Sequence, residues 1–209
     1  QVRPERAHDL EAGMTLHSPR VNLQANGFDM RFRDEILPIG ELCYIGTPLR
    51  FNVPSSYRRG LEVDLAVTPL PGVTTAVNAT WMTSRIREYS DRDGVLFRDV
   101  PALLTPQFQS AQRGSWQVSP AIALTAEGRY VGKSQLTNTN DPSLVLPASY
   151  VVDGIVRWVI ARGRYTLSLH GSNLGNSSRY STGNVSSSGT PRYFVLAPRG
   201  VQAVLTAAF

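Results

Sequence analysis

The side chains that most often perform chemistry in proteins are few in this chain, and their spacing forms no familiar site. There are three histidines and one cysteine, with no HxxxH or CxxC spacing of the kind that binds a metal ion. Serine is abundant, but no GxSxG segment is present to expose a serine nucleophile. The stretch at 181–189 is rich in Ser and Gly but lacks the lysine of a phosphate-binding loop. The sequence therefore predicts no enzyme, no resident cofactor and no metal centre.

Composition and charge exclude several further classes. With 42% hydrophobic residues and one Cys, the chain is neither disordered nor a disulfide scaffold. It has no apolar run of about 18 residues that would make a membrane-spanning helix, and residues 1–6 show no signal-peptide core. One lysine and twenty arginines give a net charge of +5, but the basic residues are scattered, with Arg58–Arg59 as the single adjacent pair. Because nucleic-acid binders usually gather such residues into a patch, no nucleic-acid partner is expected.

Apolar and polar residues alternate along most of the chain, which is typical of β-strands rather than helices. In residues 61–68, for example, Leu and Val alternate with Glu, Asp, Ala and Thr. This alternation predicts nine antiparallel strands, at about 9–17, 21–37, 57–68, 73–89, 107–117, 121–134, 147–160, 164–175 and 193–209.

The connections between these strands alternate between short and long. Tight turns at 18–20, 69–72, 118–120 and 161–163 alternate with longer connections at about 38–56, 90–106, 135–146 and 176–192. In an up-and-down meander, all the tight turns then lie at one end of the sheet and all the long loops at the other. Several strands exceed the ~9–11 residues that a tilted membrane strand requires. This pattern predicts part of a transmembrane β-barrel, with a soluble β-sandwich as the alternative.

In a barrel of this kind the apolar face meets lipid and the polar face lines the lumen. We expect odd positions in 61–67 and even positions in 122–130 to face lipid. His170 is expected on the polar face, hydrogen-bonded, with a Ser-His-Asp grouping as the alternative reading. Because Phe28, Met30 and Phe32 fall out of phase with the residues before them, a bulge is expected at Asn26–Gly27.

Aromatic residues form two groups along the strands, as at the two interfaces of a membrane. Trp81 lies in mid-strand and fits neither group. The first group lies toward the long loops and the second toward the tight turns: Tyr57, Tyr89, Tyr130 and Tyr150, then Trp116, Trp158, Tyr165 and Phe209.

Several short motifs, in this order and spacing, resemble the C-terminal part of TonB-dependent outer-membrane receptors, over essentially the whole chain. They are Arg3-Pro4-Glu5 with Leu10-Glu11-Ala12-Gly13, Phe32-Arg33-Asp34-Glu35-Ile36, Arg59-Gly60-Leu61-Glu62, Arg129-Tyr130-Val131-Gly132, Asn138-Thr139-Asn140, Leu146-Pro147-Ala148-Ser149-Tyr150, Asn173-Leu174 with Arg179-Tyr180, and Ala197-Pro198-Arg199 leading to Phe209.

The resemblance implies an all-β fold in which residues 1–209 are the last nine strands of a 22-stranded, up-and-down barrel. The plug domain and the earlier strands would then be missing from this chain. It further implies energy-dependent uptake of a scarce nutrient, by default a ferric siderophore, across the outer membrane of a Gram-negative bacterium. The implied partners are the TonB energy-transducing system, the barrel-assembly machinery and outer-membrane lipid.

The long loops carry the residues expected to contact substrate, since arginine and aromatic side chains suit an anionic, aromatic iron chelate. These residues are Tyr44, Arg50, Asn52 and Arg98. The terminal Phe209 is expected to serve as an assembly signal. Cys43 is either a free thiol or half of a bridge to another part of the receptor.

Two alternatives to an active transporter remain open at this point. One is a passive, porin-like channel, and the other is a soluble β-sandwich that binds a ligand. A nine-stranded sheet would have two unpaired edges, so residues 1–209 are not expected to form a closed barrel alone.

Overall fold

The computed structural model describes residues 3–42, 47–91, 94–186 and 188–208, with the backbone alone at 39–42 and 48. The described residues form fourteen strands: β1 (Arg6–His17), β2 (Val21–Leu42), β3 (Pro48–Leu70), β4 (Val73–Ser90), β5 (Leu96–Pro101), β6 (Phe108–Ser119), β7 (Ile122–Val131), β8 (Ser134–Gln135), β9 (Val145–Leu146), β10 (Ser149–Ile160), β11 (Tyr165–Ser172), β12 (Tyr180–Val185), β13 (Pro191–Val195) and β14 (Gly200–Ala207).

Nine of these strands form one continuous antiparallel sheet. Its order is β1-β2-β3-β4-β6-β7-β10-β11-β14, so each long strand pairs with its neighbours in sequence. The up-and-down meander predicted from the alternation is thereby confirmed. One 3-10 turn, Ala161–Gly163, interrupts the strands, and no described helix has the length and apolar character to cross a membrane.

The tight turns all lie at one end of the sheet, as predicted. Ser18 opens the first by accepting the Val21 N–H on its hydroxyl, 3.1 Å away. The second turn closes at Pro71–Gly72, where Gly72 has a φ of 78°. That left-handed conformation suits glycine, and proline before it sets the first corner of the turn. The four tight turns define what we call the turn end, and the opposite edge is the loop end.

The long connections are more ordered than the alternation suggested. The connection predicted at 38–56 is mostly an extension of the β2–β3 hairpin, in which Leu37 pairs with Phe51 and Pro38 with Arg50. Within 90–106, β5 folds back and pairs with β4. Small two-stranded sheets occupy the other two connections, β8 with β9 and β12 with β13. The predicted strand 193–209 is therefore wrong at its start, because residues 191–195 belong to the last hairpin.

The expected bulge at Asn26–Gly27 is also wrong. The β2–β3 register runs without a shift from Val21 opposite Val67 to Arg33 opposite Ser55. Phe28 therefore faces the polar side of the sheet, where its partner is Gly60. A Cβ atom at Gly60 would lie 2.8 Å from the Phe28 ring, so the glycine leaves the room that this inward ring occupies.

The register confirms that the predicted positions share one face. Leu65 pairs with Val77, Val77 with Gln112, and Gln112 with Gly128. Because paired residues point to the same side of a sheet, the odd residues of β3 and the even residues of β7 share one face. Most side chains of this outer face are apolar within the membrane-length part of the strands, with Thr75, Ser110 and Gln112 as exceptions. The opposite, inner face carries polar side chains, including Gln24, Glu62, Asp64, Asn78, Arg113, Glu127, Arg129, Asp153 and His170.

Aromatic side chains border the apolar part of the outer face at both ends. Trp116 and Trp158 lie near the turn end, 51% and 48% exposed. Toward the loop end, the ring of Phe108 lies 5.8 Å from that of Tyr130. Trp81 pairs with Phe108 and so belongs to this second border, whereas Tyr89 is 4% exposed and lies in an interior cluster instead. We call the surface between the two borders the apolar band.

The sheet is open. β1 and β14 stand at its two ends, and in the described part of the chain neither has a partner on its outer side. Every residue of β1 is exposed. The expectation that nine strands do not close into a barrel is confirmed.

We expect a charge placed within the apolar band to destabilise the receptor that contains these strands. Val63→Arg and Leu124→Arg should each cost up to about 2–4 kcal/mol in a bilayer, because both residues lie on the outer face between the outermost aromatic side chains. Urea unfolding of the receptor in vesicles measures both. Glu62→Gln, one position away on the inner face, is the control, and an equal loss there would contradict the assignment of faces.

Candidate functional site

A compact apolar cluster supports the loop end. Val53 and Ile86 are fully buried, and Tyr89, Val100 and Ala102 are at most 5% exposed. The Phe97 ring stacks on Tyr89 with ring centres 5.9 Å apart. Because these side chains come from β3, β4 and the β5 region, their burial holds the folded-back segment against the sheet. The loop end is thus a packed platform rather than a set of independent loops.

Two buried side chains join the connections to one another. Asn138 is completely buried, and its oxygen accepts the Leu103 N–H at 2.9 Å while its amide donates to the Pro38 carbonyl at 3.0 Å. The Leu104 N–H donates to the carbonyl of Gln135 at 2.7 Å. Three connections meet through these bonds. The Asn138-Thr139-Asn140 motif therefore has a structural basis, since a buried amide with both groups paired fixes neighbouring backbones.

The last hairpin is attached in a similar way. The Tyr193 hydroxyl donates to the carbonyl of Val145 at 3.0 Å, and its ring lies 4.9 Å from that of Tyr180. Near the start of this connection, Asn173 is fully buried and its N–H donates to the Asp153 carboxylate at 2.7 Å. These contacts anchor the hairpin at both of its ends.

Side-chain alternation is interrupted in β2 at Asp34. Asp34 has a φ of 54°, a left-handed conformation that is uncommon outside glycine. By simple alternation Glu35 would point outward, yet its carboxylate contacts Ser56 and Arg58 on the inner face. The chain beyond Asp34 therefore presents the opposite set of side chains to the interior. We call this reversal the Asp34 switch. It allows Val53 of the hairpin extension to pack into the apolar cluster.

Asn52 holds the Asp34 switch in place. Its amide nitrogen donates to the carbonyls of Asp34, at 2.6 Å, and Arg3, at 2.8 Å. Its oxygen accepts the Arg3 N–H at 2.7 Å. An ion pair of 2.7 Å between Arg3 and Asp34 adds to this arrangement. This backbone role could not be predicted from the sequence, because the partners lie 18 and 49 residues away.

An ion pair closes the inner wall just below the apolar cluster. Arg58 contacts Glu35 at 2.5 Å, and Ser56 donates to the other carboxylate oxygen. Glu35 is 5% exposed, so these partners replace the water that its carboxylate oxygens would otherwise bind. The Arg58 guanidinium also lies 4.6 Å from the centre of the Phe32 ring. Together with Phe28 and Met30, these residues give the inner wall an aromatic and cationic stretch.

The structure does not gather the four residues predicted to contact substrate. Arg50 is exposed on the β2–β3 hairpin extension. Arg98 is exposed on β5, where it lies 3.6 Å from Glu88. Asn52 is engaged with backbone, as described above, and Tyr44 lies outside the described residues, as do Cys43 and Phe209. The substrate role of these four side chains stays a prediction.

The loop end offers binding chemistry rather than bond-making chemistry. The described residues contain no group of three or more side chains suited to a metal ion. In the β8–β9 connection the Ser143 hydroxyl and N–H both donate to Asp141, at 2.7 and 2.8 Å. These hydrogen bonds hold the pKa of Asp141 below its ordinary value, so this exposed loop keeps a negative charge at neutral pH.

Comparison with known proteins identifies a family. Residues 1–174 match the family model described as "TonB dependent receptor-like, beta-barrel". No curated protein matches the chain.

Solved structures share the fold at low sequence identity. The ferric-catecholate import receptor Fiu from E. coli K12 is 20% identical with a TM-score of 0.73, over 99% of this chain and 28% of that one. The ferric yersiniabactin uptake receptor FyuA from Yersinia pestis is 17% identical with a TM-score of 0.76, over 96% and 29%. The copper transporter OprC is 13% identical with a TM-score of 0.74, over 100% and 32%. This chain therefore spans less than a third of each of these proteins.

We expect Arg58→Met to destabilise the receptor by about 3 kcal/mol, because it leaves the buried Glu35 carboxylate without its ion-pair partner. The double variant Arg58→Met/Glu35→Gln should recover a large part of that loss. Arg113→Met is the matched control, since the Arg113–Glu127 pair lies on the same face but is 61% and 36% exposed and should contribute at most about 1 kcal/mol. Urea unfolding of the folded receptor measures all three. Equal losses for Arg58→Met and Arg113→Met would contradict this account.

Proposed function

The chain belongs to the TonB-dependent receptor β-barrel family, and from this membership we propose that residues 1–209 form the C-terminal wall of a receptor for a ferric siderophore. Proteins of this family are transporters of the outer membrane of Gram-negative bacteria and not enzymes. In our proposal the rest of the receptor supplies a plug and the earlier strands of a 22-stranded barrel. It also supplies the segment that contacts the TonB system.

The apolar band is the observation that carries this proposal. Across this band most outward side chains of the long strands are apolar and most charged side chains point inward, although β6 presents Ser110 and Gln112 outward. Strand β10 carries one outward aromatic side chain at each border, Tyr150 and Trp158. The segment from one to the other is nine residues long. Nine to eleven residues are what a tilted strand needs to cross a bilayer. The alternative of a soluble sandwich requires a second sheet packed on the first, whereas the long strands here form a single layer.

The inner wall and the loop end suit a bulky anionic ligand. Phe28, Met30 and Phe32 face the interior on one strand, with Arg58 beside them. Above them Arg50 and Arg98 extend from the packed platform, where a fixed backbone would limit the entropy lost on binding. Aromatic rings and guanidinium groups together favour flat, negatively charged chelates. A passive channel would not need side chains that bind a particular ligand at this end of the sheet.

The substrate is tested by binding and uptake with the full receptor. Purified receptor is titrated with ferric catecholate, ferric hydroxamate and cupric ion, and uptake of the bound species is followed in cells with and without the TonB system. Tight binding of one ferric chelate with TonB-dependent uptake is expected. Uptake that continues without the TonB system would favour the passive channel, and selective binding of cupric ion would contradict the siderophore assignment.

We expect Arg50→Ala and Arg98→Ala each to weaken binding of the transported chelate about fivefold, the contribution of one exposed charge pair. Arg162→Ala is the control, because Arg162 is also exposed but lies in the last tight turn, at the far end of the sheet. Titration of the purified variants gives the dissociation constants. Unchanged affinity in both loop variants would remove these residues from the binding site.

We propose that Phe209 serves as the assembly signal read by the barrel-assembly machinery. The last described strand, β14, ends at Ala207 at the turn end, where an aromatic ring is favoured at the membrane interface. Deleting Phe209 from the full receptor should lower the amount inserted in the outer membrane, measured by heat-modifiable migration on gels. The conservative variant Phe209→Tyr should insert normally. Normal insertion of the deletion variant would contradict the assignment.

A further inference from the structure

We propose that the outer face of β6 is a contact surface for a second copy of the receptor within the membrane. This inference rests on the proposed function, because the assignment of this face to lipid comes from it. The surface consists of Ser110, Gln112 and Gly114, which we call the polar lane.

The polar lane interrupts the apolar band. On β6 the outward aromatic residues are Phe108 and Trp116, and the outward residues between them are the three of the polar lane. None of the three has an apolar side chain. On β3, by contrast, the outward positions from Leu61 to Val67 are Leu or Val throughout. The loss of apolar character is therefore local to one part of the band.

Gln112 lies too deep in the apolar band to reach a lipid headgroup. It is four residues from Phe108 and four from Trp116. Because a strand rises about 3.3 Å per residue, about 13 Å of strand separate Gln112 from either aromatic ring. An amide at this depth faces acyl chains, which offer no hydrogen bonds.

The described part of the chain uses only some of the hydrogen-bonding capacity of the Gln112 amide. Its Nε2 donates to the Ser110 hydroxyl at 2.5 Å. Its Oε1 is buried and has no hydrogen-bond partner among the described residues. This oxygen turns toward Gly128, where a Cβ atom would lie 2.6 Å from it and 2.6 Å from the Tyr150 hydroxyl. Since an amide has two donor and two acceptor positions, Gln112 retains capacity for a group outside the chain.

The backbone beside Gln112 is open to close approach. A Cβ atom at Gly114 would meet no atom of the chain within 4 Å, so no contact within the described chain requires a glycine there. A glycine inside a strand often marks a place where another backbone comes near. Val77 pairs with Gln112 on the neighbouring strand and gives the polar lane an apolar rim. Small residues around one hydrogen-bonding group are typical of protein contacts inside a membrane.

The chemistry of the polar lane is self-complementary, which favours a second copy as the occupant. A two-fold axis along the membrane normal brings a residue on the axis against its own counterpart. The Gln112 amide can then donate to its counterpart and accept from it, because each amide carries both groups. A charged residue on the axis would repel itself, and the polar lane contains none. The outer face of β2 and β3 carries Arg33 and Arg59, so self-association is disfavoured there.

The first test locates the contact with the full receptor in vesicles. One nitroxide label is placed by Pro120→Cys, in the turn after β6, or by Pro19→Cys, in the turn between β1 and β2, in a background without other cysteines that includes Cys43→Ser. Pulsed electron paramagnetic resonance measures the distance between labels of two copies at rising protein-to-lipid ratios. A dimer formed through the polar lane predicts a shorter distance between Pro120 labels than between Pro19 labels.

The second test changes the polar lane itself. Gly114→Leu and Gln112→Leu should each weaken dimerisation about tenfold, because the first blocks the approach of the two backbones and the second removes the hydrogen bonds between them. Ala25→Leu is the matched control, since it adds a similar side chain to the outer face of β2, three strands away. It should change the dissociation constant less than twofold. The dimer fraction as a function of the protein-to-lipid ratio gives all three constants.

The third test identifies the occupant in cells. Val77→p-benzoylphenylalanine places a photoreactive ring at the rim of the polar lane, and ultraviolet light should produce an adduct with twice the mass of the receptor. An adduct with a different protein, or with lipid alone, would overturn the assignment to a second copy.

The distance measurement on the receptor with an intact polar lane decides the question even where a lane variant fails to fold. A receptor that stays monomeric at every ratio, or a dimer with the shorter distance at Pro19, would disprove the contact. Dimerisation that Gly114→Leu and Gln112→Leu leave unchanged would also disprove it. Heat-modifiable migration and TonB-dependent uptake are measured on the same variants. A receptor that inserts and transports but stays monomeric overturns this inference alone and leaves the proposed function intact.

Discussion

Backbone hydrogen bonding between neighbouring strands, in a register that runs without shifts through the apolar band, is the constraint on which the rest of this structure depends. From Val21 to Arg33 the β2–β3 ladder does not slip by a single residue. A slip of one position would move every side chain of the strand to the other face. The apolar band and the polar interior both exist because this ladder fixes the direction of each side chain. A bilayer makes the constraint stricter, because an unpaired N–H or C=O group there costs several kcal/mol.

The loop end is organised by a local departure from that regularity. At Asp34 the left-handed backbone reverses the alternation, and Asn52 stabilises the reversal through its bonds to the carbonyls of Asp34 and Arg3. The hairpin above can then contribute Val53 to a cluster that includes Ile86 and Tyr89. Asp34 is thus the boundary between two parts of the molecule: the wall, in which side chains alternate strictly, and the loop end, which is held by the apolar cluster. The buried pair of Glu35 and Arg58 lies directly at this junction.

The strands and turns could be predicted because their signals are local: period-two alternation, Pro and Gly at corners, and the order of family motifs. What the sequence could not reveal depends on residues far apart in the chain. Phe28 looks out of phase by itself, but the unshifted register turns it inward, and Gly60 on the next strand leaves room for its ring. The arginines look scattered in the sequence, although cross-strand pairing brings Arg6 opposite Arg33. Asn52 looked like a binding residue because its backbone partners are distant in sequence.

The Asp34 switch also separates two parts of the polypeptide that are under different packing constraints. In the receptor that we propose, each side chain below the switch faces either lipid or water. A substitution there is therefore tolerated only if it keeps the apolar or polar character of the residue. Above the switch, the side chains of the hairpin are constrained by packing in the apolar cluster. Insertions or deletions in that upper part need not propagate into the wall, because the phase is set anew at a single residue.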